Sequence, residues 1–249
     1  MINKSLWKAA SGIAVLLALQ ECGKKTELPA VTDPAYRTQL KTKEDFTNDL
    51  RHWYITGKGD VEITGDSSLT IRLSPESSDL ILWSSQDYAG SFQLEYRITL
   101  PDSPGTHIVF LCAQDIRGGD VTRMPPPPAG TFEQYLRDSV ASYQISFHGY
   151  DESGRHVSDS KVRKNPGSLL LGSAGADPCR DNRDYIIDIL KIDNRIQCLV
   201  DGLPVHDLRD RGGFSDPYGF GKIGFHIHGR PGAFGATIHH IRVFSLIPR

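Results

Sequence analysis

Short runs of alternating apolar and polar residues dominate the chain, broken by Gly, Pro, Asp, Asn and Ser. Alternation with period two puts successive side chains on opposite faces of a strand. Runs of this kind occupy residues 61–64, 69–73 and 80–83, and a longer one, 92–100, alternates throughout. Others lie at 107–112, 142–148, 168–171, 185–192, 196–200, 221–228 and 236–246. The Asp193-Asn194 turn between two of them suits a hairpin. Roughly a dozen strands without interleaved helices predict an all-β fold, a jelly-roll β-sandwich of two antiparallel sheets. The proline tract 125–128 cannot be a strand. With a short helix predicted over 131–140, carrying Phe132, Tyr135, Leu136 and Val140 on one face, it forms a long insertion of the kind that walls binding sites.

The N-terminus departs from this pattern. Lys4 and Lys8 supply a positive start before an apolar stretch, residues 9–19, that is shorter than the roughly 20 residues a bilayer requires but suits the core of an export signal. Cys22 follows, then a polar, proline-bearing run. The arrangement resembles a bacterial lipoprotein signal, with Leu19 in that pattern and Gln20 and Glu21 where small residues are usual. It implies a signal peptide over residues 1–21, lipidation of Cys22, a tether over 22–42 and the sandwich domain over 43–249. Plain secretion, or an uncleaved anchor with Cys22 an incidental thiol, are the alternatives. Either way the expected location is extracytoplasmic, in the periplasm or at the cell surface, with the membrane as a partner if the lipid is present.

Lys+Arg 28 against Asp+Glu 30 gives a net charge of -2, and without a basic excess no nucleic-acid partner is expected. Cys112 and Cys198 sit in apolar runs and read as small buried hydrophobes, and with Cys179 and Cys22 they lack zinc-site spacing. There is no nucleophile elbow, phosphate loop or dinucleotide fingerprint.

Alternation also sorts candidate chemistry. In 92–100 the apolar set Phe92, Leu94, Tyr96 and Ile98 opposes Gln93, Glu95, Arg97 and Thr99. In 143–148 Gln144, Ser146 and His148 oppose the apolar set, and in 224–228 Phe225 and Ile227 leave His226 and His228 facing outward. Gathered on one sheet, these groups would form a polar floor suited to the hydroxyls of a sugar chain. A bland solvated face is the competing reading. His226 and His228, two apart on a strand, also suit a metal pair that lacks an identified third ligand. The segment 159–167 reads as a cationic loop closing in Asn165-Pro166-Gly167, with Lys161, Arg163 and Lys164 placed to grip a uronate carboxylate. The acids at Asp201 and between 207 and 216 leave calcium open without matching a calcium loop, and no other cofactor is expected.

Several stretches resemble an uncharacterised family of concanavalin A-like, galectin-like sandwich proteins found among bacterial genes for polysaccharide breakdown, including rhamnogalacturonan use. They are Phe147-His148-Gly149-Tyr150, the 163–167 motif, Asp177-Pro178, residues 185–189, Val200-Asp201-Gly202, residues 219–225 and Ile241-Arg242-Val243-Phe244. The likeness covers about residues 45–249, and His226 stands where that family usually has an arginine. It implies a carbohydrate-active protein whose substrate is a polysaccharide or oligosaccharide, uronate- or rhamnose-containing. As a lyase, Arg163 or Gln114 would neutralise a uronate while His148 or Tyr143 takes the proton. As a hydrolase, Glu95 and Asp115 would be the carboxylates. The alternatives are a non-catalytic lectin-like protein using the same floor (Gln93, Arg97, Gln114, Gln144, Lys164, Asn165, His226 and His228, with Trp53 or Trp83 stacking on sugars), or a structural sandwich with no sugar site.

Overall fold

A computed structural model describes residues 33–249 except 48, 102, 126–134, 136–138, 152, 158 and 181. Cys22 and the signal segment, with their expected lipidation, therefore lie outside the described residues. Within them the chain forms strands β1 (Tyr36–Glu44), β2 (Trp53–Gly57), β3 (Gly59–Thr64), β4 (Ser68–Leu73), β5 (Asp79–Ser84), β6 (Tyr88–Ala89), β7 (Phe92–Leu100) and β8 (Gly105–Asp115). After a single 3-10 turn at Val121–Arg123 come β9 (Val140–Phe147), β10 (Lys161–Asn165), β11 (Leu169–Ser173), β12 (Arg183–Ile192), β13 (Arg195–Val200), β14 (Leu203–Arg209), β15 (Phe220–Gly229) and β16 (Gly235–Pro248).

The strands build two antiparallel sheets. Sheet A runs β14-β13-β12-β7-β16-β4-β3, with β1 also on β16; sheet B runs β11-β10-β9-β8-β15-β5-β2, with β6 on β15. The jelly-roll sandwich expected from the alternation is thus present. The 14-residue strand β16 is long enough to pair β4 through Gly235–Ile238 and β1 through Ile241–Pro248. Strand β1 takes up residues that the sequence assigned to a tether. Five consecutive residues of it, from Arg37 to Lys41, are exposed, so it has no apolar face to betray it, and its main-chain ladder to β16 holds it in place. The helix predicted over 131–140 gives way at its end, where Val140 opens β9; Tyr135 is helical, and most of the remainder lies outside the described residues.

Leu94, Tyr96, Ile98, Ile187, Ile189 and Val243 of sheet A meet Leu82, Val109, Ile145, Phe147, Phe225 and Ile227 of sheet B in the main core. A second apolar cluster covers the other side of sheet B: Ile81, Trp83, Ile108, Phe110 and Ala113 pack with Val121, Tyr135 and Val140. Residues 80–83, grouped above with the alternating runs, are thus apolar throughout, since a strand covered on both faces needs no polar side. Cys112, Cys179 and Cys198 are free and buried, and burial pushes the Cys112 thiol up to about 11.

Candidate functional site

The ladder places side chains of sheet B's outer face in rows. Arg163 pairs with Gln144, Gln144 with Phe110, Phe110 with Gly224, and Gly224 with Trp83. The next row holds Lys161, Ser146, Ile108, His226 and Ile81. Beyond it His228 stands opposite Asp79. The apolar cluster closes the middle, so the polar groups collect at two ends. At one end, Asn165 Nδ2 donates to Ser142 Oγ (3.1 Å) and Gln144 Oε1 (3.3 Å), and Arg163 Nη1 donates to the Ser168 carbonyl (2.8 Å). At the other, Asp79 Oδ1 lies 2.8 Å from His226 Nε2 and 2.7 Å from His228 Nδ1. Burial opposes the Asp79 charge, yet the imidazole hydrogen bonds hold its carboxyl far below the usual range.

The cationic stretch is a strand, not a loop. Alternation along β10 sends Lys161 and Arg163 outward and Lys164 inward, because Lys164 has a buried anion to meet. Its Nζ donates to Asp210 Oδ2 (2.6 Å) and to the carbonyls of Ser215 (2.6 Å) and Asp216 (3.1 Å). Lys161 is paired with Asp159 at 3.0 Å. Of the three cations expected to grip a carboxylate together, Arg163 alone has no carboxylate partner among the described residues.

The remaining predicted residues fall elsewhere. His148 follows β9 in the left-handed region (φ 50), fully buried, its Nδ1 donating to the Cys179 carbonyl (2.7 Å) and its ring stacked on Phe234 (5.8 Å). It ties a loop to the end of the sandwich. Tyr143 faces the core and donates its hydroxyl to Asp210 (2.8 Å); burial and that anion push its phenol far up, away from use as a base. Gln114 Nε2 donates to the Phe220 carbonyl at 2.5 Å, and Asp115 is held by Arg117 at 2.7 Å. Trp53 and Trp83 are both buried, the first in the main core and the second under Tyr135, so neither offers a face to a sugar.

Gln93, Glu95 and Arg97 do not join the floor at all, because β7 belongs to sheet A. There Glu95 Oε1 meets Arg242 Nη1 (3.2 Å) and His240 Nε2 (3.3 Å), Gln93 Nε2 donates to Asp188 Oδ1 (3.0 Å), and Arg97 lies 3.7 Å from Asp184. Asp188 stands directly across from Glu95. Burial, reinforced by the Glu95 charge and offset in part by Gln93, raises the Asp188 carboxyl to about 6. A carboxyl raised in the folded state adds stability below the ordinary carboxylate range and loses it as pH rises through its folded value. Asp188→Asn, which keeps an acceptor for Gln93, is therefore expected to stabilise the fold by about 1–3 kcal/mol at pH 7 and to change nothing below about pH 4. Urea titrations at the two pH values measure this; an equal change at both would refute it.

The sequence assigns no site role to Asp79, Asp188, His240 or Arg242, because each acquires its partners only through cross-strand pairing. Asp79 precedes its apolar run inside a Ser-Ser-Asp turn signal, and nothing local ties it to residues 226 and 228. A cleft of about 800 Å³ opens at the sandwich edge between β11 and β14, lined by Leu169, Leu171, Leu208 and Phe214 with the Lys164–Asp210 pair at its wall.

Solved structures with the same fold include a Bacillus subtilis protein of unknown function with a galectin-like fold, which matches with a TM-score of 0.73 at 20% identity over 86% of this chain and 100% of that one. The exoplasmic/lumenal domain of VIP36, in a Ca2+/Man-bound form, matches with a TM-score of 0.58 at 16% identity over 85% and 93%. The potassium-bound carbohydrate recognition domain of Emp46p matches with a TM-score of 0.56 at 13% identity over 80% and 94%. No curated protein matches the chain by sequence. The domain of unknown function DUF1961 matches residues 35–229, a span from β1 to the end of β15, and the chain belongs to that family.

Proposed function

We propose that the protein is an extracytoplasmic carbohydrate-binding protein that takes uronate-containing oligosaccharide or polysaccharide on the Arg163 end of sheet B. The observation that carries this reading is the arrangement of Arg163. Among the described residues its guanidinium makes a single side-chain hydrogen bond, to Ser168, which leaves donors in a planar fork for a carboxylate. Gln144 and Ser146 lie on the same face, and the half-exposed Leu170 pairs with Arg163 across the ladder as an apolar surface for a sugar ring. The sandwich shared with VIP36 and Emp46p, one solved with mannose and the other a carbohydrate recognition domain, supports the reading. The lipid anchor on Cys22 and the choice of rhamnose-containing glycan belong to the same proposal.

Binding without bond cleavage is the form that the geometry favours. The groups expected to do chemistry, Glu95, His148 and Tyr143, lie on another sheet, at the sandwich end and in the core. His228 shares the face with Arg163 but stands three strands and four residues away, about 20 Å by strand spacing and rise, too far for both to act on one sugar ring. The test is affinity electrophoresis and calorimetry with uronate-containing polysaccharides, following unsaturated and reducing ends in parallel. Retardation without new ends is expected. Arg163→Ala should weaken binding by about 10- to 100-fold, the worth of a charge-assisted pair, while the exposed Arg72→Ala on sheet A leaves it unchanged. Equal binding by Arg163→Ala would overturn the site, and new chain ends would overturn the non-catalytic reading.

A further inference from the structure

Two imidazoles and a carboxylate converge at the end of sheet B remote from Arg163. Asp79 Oδ1 receives both His226 Nε2, at 2.8 Å, and His228 Nδ1, at 2.7 Å, and among the described residues this group has three potential metal-ligand atoms within 4.8 Å of one another. The strand geometry makes the convergence obligatory. His226 and His228 are two apart on β15 and share a face, and His228 is the register partner of Asp79 on β5.

We infer that Asp79, His226 and His228 form a binding site for one divalent transition-metal ion, with zinc as the chemical type. Two imidazole nitrogens and one carboxylate oxygen are a donor set for zinc and its neighbours, whereas calcium takes six to eight oxygens. Zinc–nitrogen bonds of about 2.0–2.1 Å in a tetrahedron separate ligand atoms by about 3.3 Å, so each imidazole–carboxylate distance need open by only about half an ångström, and the two imidazole nitrogens already lie within 4.8 Å of each other. The three side chains differ in how they would accommodate this. His226 is fully shielded and stacked against Phe110 at 6.1 Å, and Asp79 is nearly so, whereas the His228 side chain is 41% exposed and has room to turn. Both rings would present a lone pair to the ion and carry their proton on the other nitrogen. The exposed His228 side leaves the fourth position to water or an incoming oxygen ligand. Ser78 Oγ donates to Asp79 Oδ2 at 2.5 Å and fixes the carboxylate from behind, the outer-shell support that ligating groups use.

This inference is independent of the glycan reading, since ion uptake is measured without sugar. The experiment titrates zinc and cobalt into the untagged, chelator-treated chain by calorimetry, with visible absorption of the cobalt form and thermal unfolding alongside. One ion per chain, tetrahedral cobalt bands and a zinc-dependent rise in Tm are expected. His228→Gln, at a half-exposed position, should weaken binding by more than about 100-fold, and Ser78→Ala by about 10- to 100-fold, the usual outer-shell effect. The exposed His52→Gln should bind as the unaltered chain does. Lack of zinc uptake, uptake unaltered in both His228→Gln and Ser78→Ala, or calcium binding in place of zinc would overturn the site.

Discussion

Asp210→Ala is expected to destabilise the fold by about 3–5 kcal/mol, the cost of leaving a buried charge without its partner. Asp210 and Lys164 have side chains only 2% and 3% exposed, joined at 2.6 Å. The carboxylate also accepts from the Tyr143 hydroxyl (2.8 Å) and the Gly212 N–H (2.9 Å), while Lys164 Nζ sits 4.7 Å over the Tyr218 ring. The group thus clamps β10, β9 and the loop after β14 together, and alanine would strand an ammonium among carbonyls. Burial opposes the Asp210 charge, but the Lys164, Gly212 and Tyr143 hydrogen bonds outweigh it and lower the carboxyl. Its contribution is therefore complete above the ordinary carboxylate range and is lost as pH falls through the depressed value. Replacing the pair together by Lys164→Met and Asp210→Leu should recover most of the loss, because a packed apolar pair carries no desolvation cost. Denaturant unfolding of the single and double variants decides the matter; an Asp210→Ala loss under about 1 kcal/mol would show the pair to be solvated.

Lys164 also shows where sequence legibility ends. Period-two alternation correctly separated Phe92, Leu94, Tyr96 and Ile98 from Gln93, Glu95 and Arg97, because one side of each strand must enter the core. It could not tell that β7 and β9, with the same alternation, lie in different sheets, since sheet membership is decided by pairings between residues far apart in the chain. In 161–165 the charges masked the alternation: Val162 and Lys164 both point inward, and Lys164 is acceptable there only because Asp210 arrives from 46 residues away. Strand β1 was hidden for the opposite reason, having main-chain partners but no apolar stripe. Asp79 belongs with these. Its neighbours in sequence describe a turn, and its role follows from facing His228 across the β5–β15 ladder.

The unbroken apolar run 80–83 marks a strand covered from outside sheet B, and it leads to the second large effect. Trp83→Ala is expected to cost about 3–5 kcal/mol. The ring is fully buried against Phe110 at 5.3 Å and Tyr135 at 6.0 Å, and it lies flat over β15 where Gly224 leaves room; a Cβ there would meet Trp83 Cζ3 at 2.4 Å. Because the indole Nε1 has no hydrogen-bond partner among the described residues, the ring acts through volume and contact alone. Trp83→Phe should therefore keep most of the stability, and Gly224→Ala, which lifts the ring, should cost about 1–3 kcal/mol by overpacking. Tyr135 supplies an independent readout. Burial pushes its phenol up to about 12, and once Trp83 is gone the phenol should titrate nearer its ordinary value of about 10. Ultraviolet titration of the folded Trp83→Ala protein reads that shift. If Trp83→Phe proved as damaging as Trp83→Ala, or if the titration did not move, the tryptophan would not be what holds Tyr135 against the sheet.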